Sequence, residues 1–459
     1  MKRLLISILL LFPIITFSQK EANIWYFGEY AGLDFTTGTP VALTNSAMNK
    51  DEGCASICDT AGNLLFYTSG ISVWNKNHQV MSNGTGLTGH NSSTQSALIV
   101  PKPSNSNLFY IFTTDAFFYS NGLKFSVVDM SLNSGLGAVT QKNIGLSTPV
   151  TEKITAVKHS NGTDYWVIAH YNNSSFAAYP VTSSGIGTPV VTAIGVQHLG
   201  GGTNGTLNAI GYMKTSPSGN RIAYTIMYSG ILELFDFNTT TGVISNPITF
   251  NNPTYNNPYG VEFSPSEELL YFTADTVLFQ VNLIAGSSSA IINSVQKVGA
   301  ATLLMSYLGA LQLGPDNKIY CVDYYHNYVS VISNPNALGT ECLFIHDGVS
   351  LNNKHCYAGL PNFVTSFFYN APQNINELNS LAQSIECYPN PAKDKLFIST
   401  NGNISNPIIR IFDIKGQLIY SEEMKSNDLE IDVSQWCKGM YLVKLNSDEK
   451  FIVKKVVID

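Results

Sequence analysis

The 459-residue sequence predicts an all-β chain: a seven-bladed β-propeller followed by a small C-terminal β-sandwich. Three observations carry that expectation. A turn followed by a short aromatic strand recurs along the chain, no stretch sustains a helical period, and the composition changes near residue 370.

The recurring unit reads DTAGNLLFYT at 59–68, PSNSNLFYIF at 103–112, HSNGTDYWVI at 159–168, SPSGNRIAYT at 216–225, SPSEELLYFT at 264–273 and GPDNKIYCVD at 314–323. Each turn offers Pro, Ser, Gly, Asn or Asp, and each following run alternates enough to bury one face. Aligning Phe66, Tyr110, Trp166, Ala223, Tyr271 and Tyr320 gives a mean spacing of about 51 residues, room for four short antiparallel strands. One such sheet cannot bury both of its faces, so copies must stack radially. Residues 20–370 hold about seven repeats of that length. The seventh is expected to combine NIWYFGEYAGLDF near the N-terminus with LPNFVTSFFY near 370, which would close the ring and remove open edges. An irregular β-sandwich is the competing architecture.

At the N-terminus, Lys2 and Arg3 precede an apolar run from Leu4 to Phe17 that closes at Ser18, the pattern of a cleaved signal peptide over 1–18. No later run is long and apolar enough to span a bilayer, so no transmembrane segment is expected after cleavage. The expected order is signal 1–18, propeller 19–370, linker 371–383 and C-terminal unit 384–459. That last unit holds 21 of the chain's 57 Asp, Glu, Lys and Arg, and the polar, Pro372-containing stretch before it reads as a linker.

The strings NIWYFGEYAGLDF, EGCASICDTAGNLLFYTSGISVWNKNHQVM, SSTQSALIVPKP, LQLGPDNKIY and AGLPNFVTSFF resemble a propeller module of secreted and surface proteins of Bacteroidetes. That resemblance covers roughly 22–370 and implies a seven-bladed, exported fold, with no catalytic residues attached. The C-terminal strings YPNPAKDKLFIST, IIRIFDIKGQLIY and LEIDVSQWCKGMYLVKL resemble the type A sorting domain of the type IX secretion system. The matching positions are Tyr388, Pro389, Asn390, Pro391, Asp413, Gly416, Gly439, Tyr441, Leu442, Lys454 and Lys455. The resemblance implies recognition by the outer-membrane translocon of a Gram-negative bacterium, followed by attachment at the cell surface or release.

Seven cysteines in an exported chain leave at least one without an intramolecular partner. Cys342 and Cys356 are the preferred disulfide pair, with Cys387 and Cys437 second. Cys321 reads as an inert buried thiol.

The net charge of −7, with 12% charged residues, excludes the basic footprint that nucleic acid requires. Sialidase chemistry needs an arginine cluster to clamp a carboxylate, and the chain has only Arg3, Arg221 and Arg410. No zinc, phosphate-loop, calcium-loop or nucleophile-elbow spacing is present, so no catalytic residue, cofactor or metal ligand is assigned. His159, His198, His326 and His355 read as hydrogen-bonded or solvated imidazoles. Asp115, Asp164, Asp236, Asp275 and Asp323 lie at or near strand ends and could face an axial channel, or cap turns. The loops 83–96 and 200–208, and exposed rings among Trp25, Trp74, Trp166 and the tyrosines, are candidate ligand contacts. The resulting expectation is a non-catalytic module binding a glycan or surface protein. A polysaccharide hydrolase or lyase using channel residues is the alternative, and a protein-contact scaffold the third reading.

Overall fold

The computed structural model describes residues 19–198, 206–301, 306–369, 385–400, 408–413, 418–446 and 451–459. The expected signal segment, the linker 371–383 and Gly416 lie outside these residues. The chain divides into two compact units, 1–369 and 370–459, each considered by itself.

Antiparallel sheets follow one another through the first unit. The first has three strands, Ile24–Phe27, Ala31–Asp34 and Val41–Leu43. The second (Ala55–Cys58, Leu64–Thr68, Ser72–Asn75, Val80–Thr85) and third (Ala97–Pro101, Leu108–Thr114, Leu123–Asp129, Ala138–Ser147) are four-stranded meanders. A single parallel bridge, Ser82 to Ala138, joins their outer strands. In the fourth, Val150–Lys158, Tyr165–Tyr171 and Ser175–Thr182 are edged by Gly185–Ile186 and Val190–Ala193. The fifth (Met213–Thr215, Arg221–Ile226, Ile231–Phe237, Ile244–Asn251) is again a four-stranded meander. So are the sixth (Pro258–Phe263, Leu269–Ala274, Val277–Asn282, Gln296–Ala300) and the seventh (Leu308–Leu313, Ile319–Asp323, Tyr328–Ile332, Phe344–Ser350).

The recurring strings occupy the turn between the first and second strands, plus the second strand, of the second to seventh sheets. At the fourth position of five strings the backbone turns left-handed: Gly62 (φ 93°), Gly162 (76°), Gly219 (85°), Glu267 (60°) and Asn317 (61°). That hand matches the strand twist and closes the hairpin tightly. The aligned residues Phe66, Tyr110, Trp166, Ala223, Tyr271 and Tyr320 are all buried in the apolar layers.

After the seventh sheet the chain turns inward. Every residue from Ala358 to Phe368 is buried. A buried backbone must still satisfy its polar groups, and here the first strands of other sheets help to do so. The Ala358 N–H donates to Asp51 O (2.8 Å), Ala310 N–H to Ala358 O (2.9 Å), and Asn362 N–H to Cys54 O (2.8 Å). Asn362 Nδ2 donates to Ile154 O (3.1 Å) and Thr365 Oγ1 to Ala156 O (3.1 Å). The segment therefore packs against the first strands of several sheets and takes up their free backbone groups. It also meets the N-terminus: Glu29 N–H donates to His355 O at 2.8 Å, and the Trp25 and Phe363 rings lie 5.8 Å apart.

The cysteine expectation is corrected here. Cys342 and Cys356 are both free thiols. The Cys356 thiol points at the carbonyls of Asp323 and Tyr328 (3.1 and 3.2 Å), while Cys342 faces the Tyr271 hydroxyl. Each has its own polar neighbours, and the stretch between them is held by backbone bonds such as Leu351 N–H to Asn327 O (2.8 Å). Cys387 and Cys437 are likewise free, and Cys321 is buried.

The second unit pairs a three-stranded sheet (Ile385–Tyr388, Lys395–Thr400, Asp428–Asp432) with a four-stranded one (Leu418–Glu423, Ile408–Asp413, Gly439–Asn446, Phe451–Ile458). Leu396, Ile398 and Ile431 from the first, with Ile409, Ile411, Val443 and Val456 from the second, share one apolar core. Asn390 pins its turn to the last strand, donating to Lys455 O (3.2 Å) and accepting from Val457 N–H (2.9 Å). Tyr388 stacks on Phe397 with ring centroids 5.7 Å apart, and Tyr441 donates to Cys437 O (2.8 Å). Asp413 pairs with Tyr441 across neighbouring strands, and Leu442 pairs with Lys455 as Val443 does with Lys454.

If the inward segment holds the first unit together, Phe363→Ala should cost about 3–5 kcal/mol, the usual range for an emptied aromatic core site. Urea unfolding of the full chain followed by tryptophan fluorescence would measure it, and a loss under 1 kcal/mol would contradict this role.

Candidate functional site

In a meander, the start of the first strand and the turn between the second and third strands lie at the same end. At that end the first unit holds a cavity of about 450 Å³. Glu52, Tyr259, Tyr307 and Leu308 reach it from the starts of first strands, with Ile210 and Ala358 beside them. Phe117, Met227, Tyr228 and Asp275 reach it from second-to-third turns, and Asn257 completes the wall. Tyr228, Asn257 and Asp275 also line an adjoining groove of about 490 Å³ that opens outward past Pro253 and Tyr255.

Aromatic rings cluster at the same end. Tyr307 stacks on Tyr324 with centroids 4.4 Å apart, and Tyr325 stacks on Tyr357 (5.7 Å) and on the His355 imidazole (5.0 Å). Tyr228 and Tyr325 are 54% and 57% exposed. Their backbone is unusual. Tyr30 (φ 57°), Phe117 (50°), Tyr228 (63°), Asp275 (47°) and Tyr325 (61°) all adopt the left-handed conformation in short turns at this end. Glycine or asparagine occupies such positions cheaply, whereas a bulky side chain costs on the order of 1 kcal/mol.

The floor is polar and shielded. Burial, reinforced by the neighbouring Glu152, pushes the Glu52 carboxyl up to about 8. Glu152 is itself raised by burial and is fully engaged, accepting from Thr94 N–H (2.8 Å), Thr94 Oγ1 (2.6 Å) and Phe117 N–H (3.0 Å). Burial lowers the Lys153 ammonium to about 7, and it donates to the carbonyls of Ala209 and Ile210, both at 2.9 Å. Lys50, lowered to about 8 by burial, donates to His90 O at 2.6 Å. Glu52 Oε2 and the Tyr259 hydroxyl differ from these. They face each other, yet neither closes a hydrogen bond of normal geometry among the described residues.

Of the five aspartates singled out from sequence, Asp275 lines the cavity and accepts from Asn257 Nδ2 (2.7 Å). Asp323 lies in the same turn region, buried against Ser306 and 3.4 Å from His326 Nδ1. Asp115 caps its own turn through Ala116 N–H (2.9 Å) and Asn121 N–H (3.0 Å). Asp164 and Asp236 bond Asn161 and Asn246 at the surface. Trp25 and Trp166 are core residues whose indoles donate to Ala22 O and Thr239 O, and Trp74 stacks on Tyr67. The loop 83–96 ends in Ser93–Ser96, which are buried and knit sheets together, so it offers no free surface there. Most of the loop 200–208 lies outside the described residues. Glu52, Tyr259 and Tyr307 escaped the sequence reading because it followed acids after second strands, whereas these stand where first strands begin.

A second polar cluster lies apart from the cavity. His170 and His198 are fully buried with ring centroids 4.1 Å apart. Burial lowers both imidazoles, His170 to about 3 and His198 well below its ordinary value, with Lys153 adding to both. An unfolded chain takes up these protons as pH falls below about 6.5. The folded chain does not take up the His170 proton until near pH 3, and burial likewise keeps His198 neutral well below its ordinary range. Their stabilising contribution is therefore complete above pH 6.5 and lost as pH falls, by up to about 1.4 kcal/mol per unit for each histidine. Urea midpoints should drop more steeply between pH 6.5 and 4.5 in the wild type than in His198→Leu. Parallel slopes would contradict the assignment.

Comparison with known proteins matches residues 386–459 to the family described as the secretion system C-terminal sorting domain. That segment is such a domain, and the chain is exported by the type IX system of Bacteroidetes to the cell surface or beyond. No curated protein sequence matches the chain. Similar solved structures include PorZ, a surface component of the type IX secretion system of Porphyromonas gingivalis, at 12% identity and a TM-score of 0.38. The match covers 94% of this chain and 62% of PorZ, so the chain spans under two thirds of that protein's length. The periplasmic gluconolactonase PpgL of Pseudomonas aeruginosa is similar at 10% identity and a TM-score of 0.39, over 90% of this chain and 98% of that one.

Proposed function

We propose that the first unit is a seven-bladed propeller that works outside the cell as a non-catalytic glycan-binding module, delivered by its C-terminal sorting domain through the type IX translocon. The bridge between Glu29 and His355 supports treating the inward segment as the missing inner strand of the three-stranded first sheet. On that reading the Tyr30 turn becomes a second-to-third turn like those carrying Phe117, Tyr228, Asp275 and Tyr325.

The observation that carries the binding role is the placement of large aromatic rings at left-handed backbone positions at one end of the unit, two of them, Phe117 and Tyr228, lining its cavity. Strain of that kind persists where function uses it. Flat rings exposed at a cavity mouth suit the apolar faces of sugar rings, and the groove beyond Tyr228 gives a polymer room to continue. Tyr228→Gly and Tyr325→Gly should leave thermal stability unchanged or slightly raised while weakening polysaccharide binding about tenfold each, or 1.4 kcal/mol. Glycan arrays and titration calorimetry on the purified protein test this. Absence of binding to any polysaccharide would overturn the glycan assignment, and binding to surface proteins alone would reassign the ligand.

A hydrolytic role is favoured only by the adjacency of Glu52 and Glu152. Glycosidic hydrolysis uses two working carboxyls, and Glu152 is already occupied by three donors. Release of reducing sugar that disappears in Glu52→Gln would decide for hydrolysis.

For delivery, deletion of 384–459 should strand the protein in the periplasm. Fractionation with an antibody to the first unit would show it, and wild-type levels at the surface or in the medium would contradict the dependence.

A further inference from the structure

We infer that Glu52 and Tyr259 form a dedicated hydroxyl-reading pair at the cavity floor, selecting the uncharged, hydroxyl-rich end of a neutral glycan. The inference rests on the glycan-binding reading and specifies which sugars satisfy it. Tyr259 lines the cavity but is only 6% exposed, its ring packs edge-on against Tyr212, and its hydroxyl faces Glu52 without closing a hydrogen bond of normal geometry. Glu52 Oε2 is shielded and equally unpaired. A buried polar atom left unbonded costs about 1–3 kcal/mol. Two of them, on residues that line one cavity, are a standing cost that a ligand can remove.

A sugar hydroxyl is matched to this pair because it donates one hydrogen bond while accepting another. One hydroxyl can therefore serve both atoms. A quaternary ammonium has no donor and leaves both unpaired. A uronate brings a carboxylate toward Glu52 and Glu152, where burial has already made negative charge unfavourable. Glu52 is held in its neutral form at pH 7 by that same burial, so it also can donate. The titratable and charged groups around it are Glu152 from the fourth sheet, Tyr212 and Tyr259 from the fifth and sixth, Tyr307 ahead of the seventh, and Lys50 and Asp51 on its own segment.

The test is titration calorimetry of the full chain with neutral tetrasaccharides (cello-, malto-, manno-, xylo- and chito-), tetragalacturonate and tetramethylammonium. At least one neutral tetrasaccharide should bind, more tightly than tetragalacturonate or tetramethylammonium, with affinity falling above about pH 8. Tyr259→Phe should weaken that binding about tenfold without lowering the urea midpoint, since the hydroxyl it removes closes no hydrogen bond of normal geometry in the fold. Glu52→Gln should weaken binding and remove its pH dependence. Neutral-sugar binding that is lost in Tyr325→Gly but unchanged in Tyr259→Phe would overturn this inference and leave the glycan-binding reading standing. Tighter binding of tetragalacturonate or tetramethylammonium would overturn it as well. No binding by any sugar would overturn both.

Discussion

The constraint on which the first unit depends is the burial of one irregular segment. Residues 358–368 carry no regular strand, yet all are shielded from water. A buried chain with only isolated bridges and one short 3-10 turn, Thr365–Phe368, must find most of its donors and acceptors elsewhere. It finds them on four different sheets, through Asp51 and Cys54, Ile154 and Ala156, Thr215, and Ala310. Packing between sheets is non-directional and would tolerate sliding. Directional bonds from a shared central segment do not, and they fix the sheets relative to one another.

That arrangement also explains why the cavity sits at one end. With Ala358–Phe368 packed among the first strands, the cavity lies beside the point where the segment turns inward, at Ala358. There the first strands begin, and backbone and side-chain polar groups not consumed by sheet pairing converge. Lys50, Lys153 and Glu152 are consumed by carbonyls, amides and a hydroxyl. Glu52 and Tyr259 are not, and the difference separates scaffold from site within a few residues.

Much of the scaffold was legible in the sequence because its determinants are local. A left-handed fourth position at Gly62, Gly162, Gly219, Glu267 and Asn317 marks each hairpin, and the aromatic run after it marks the buried second strand. The sorting domain was legible for the same reason, its turn and strand residues lying in short strings. The site was not. Glu52 stands in DEG, Tyr307 in SYL and Tyr259 in PYG, none with a spacing that announces a shared wall, because the wall is assembled from sheets hundreds of residues apart. The supposed disulfide failed on similar grounds. Proximity in sequence between Cys342 and Cys356 suggested a staple, but each thiol is settled by distant partners, Tyr271 in one case and the Asp323 and Tyr328 carbonyls in the other.

The bond between Glu29 and His355 joins residues 326 positions apart. Contacts of such span form late, since the chain-closure entropy must be met before they contribute. The opening strand thus waits for almost the whole first unit to be available before it acquires its last neighbour. An exported chain emerges amino end first, so its initial strand passes through the translocation period as an unfinished edge, exposed to mispairing. The interval before closure, rather than the strength of the finished fold, is then where a chaperone would have its greatest effect.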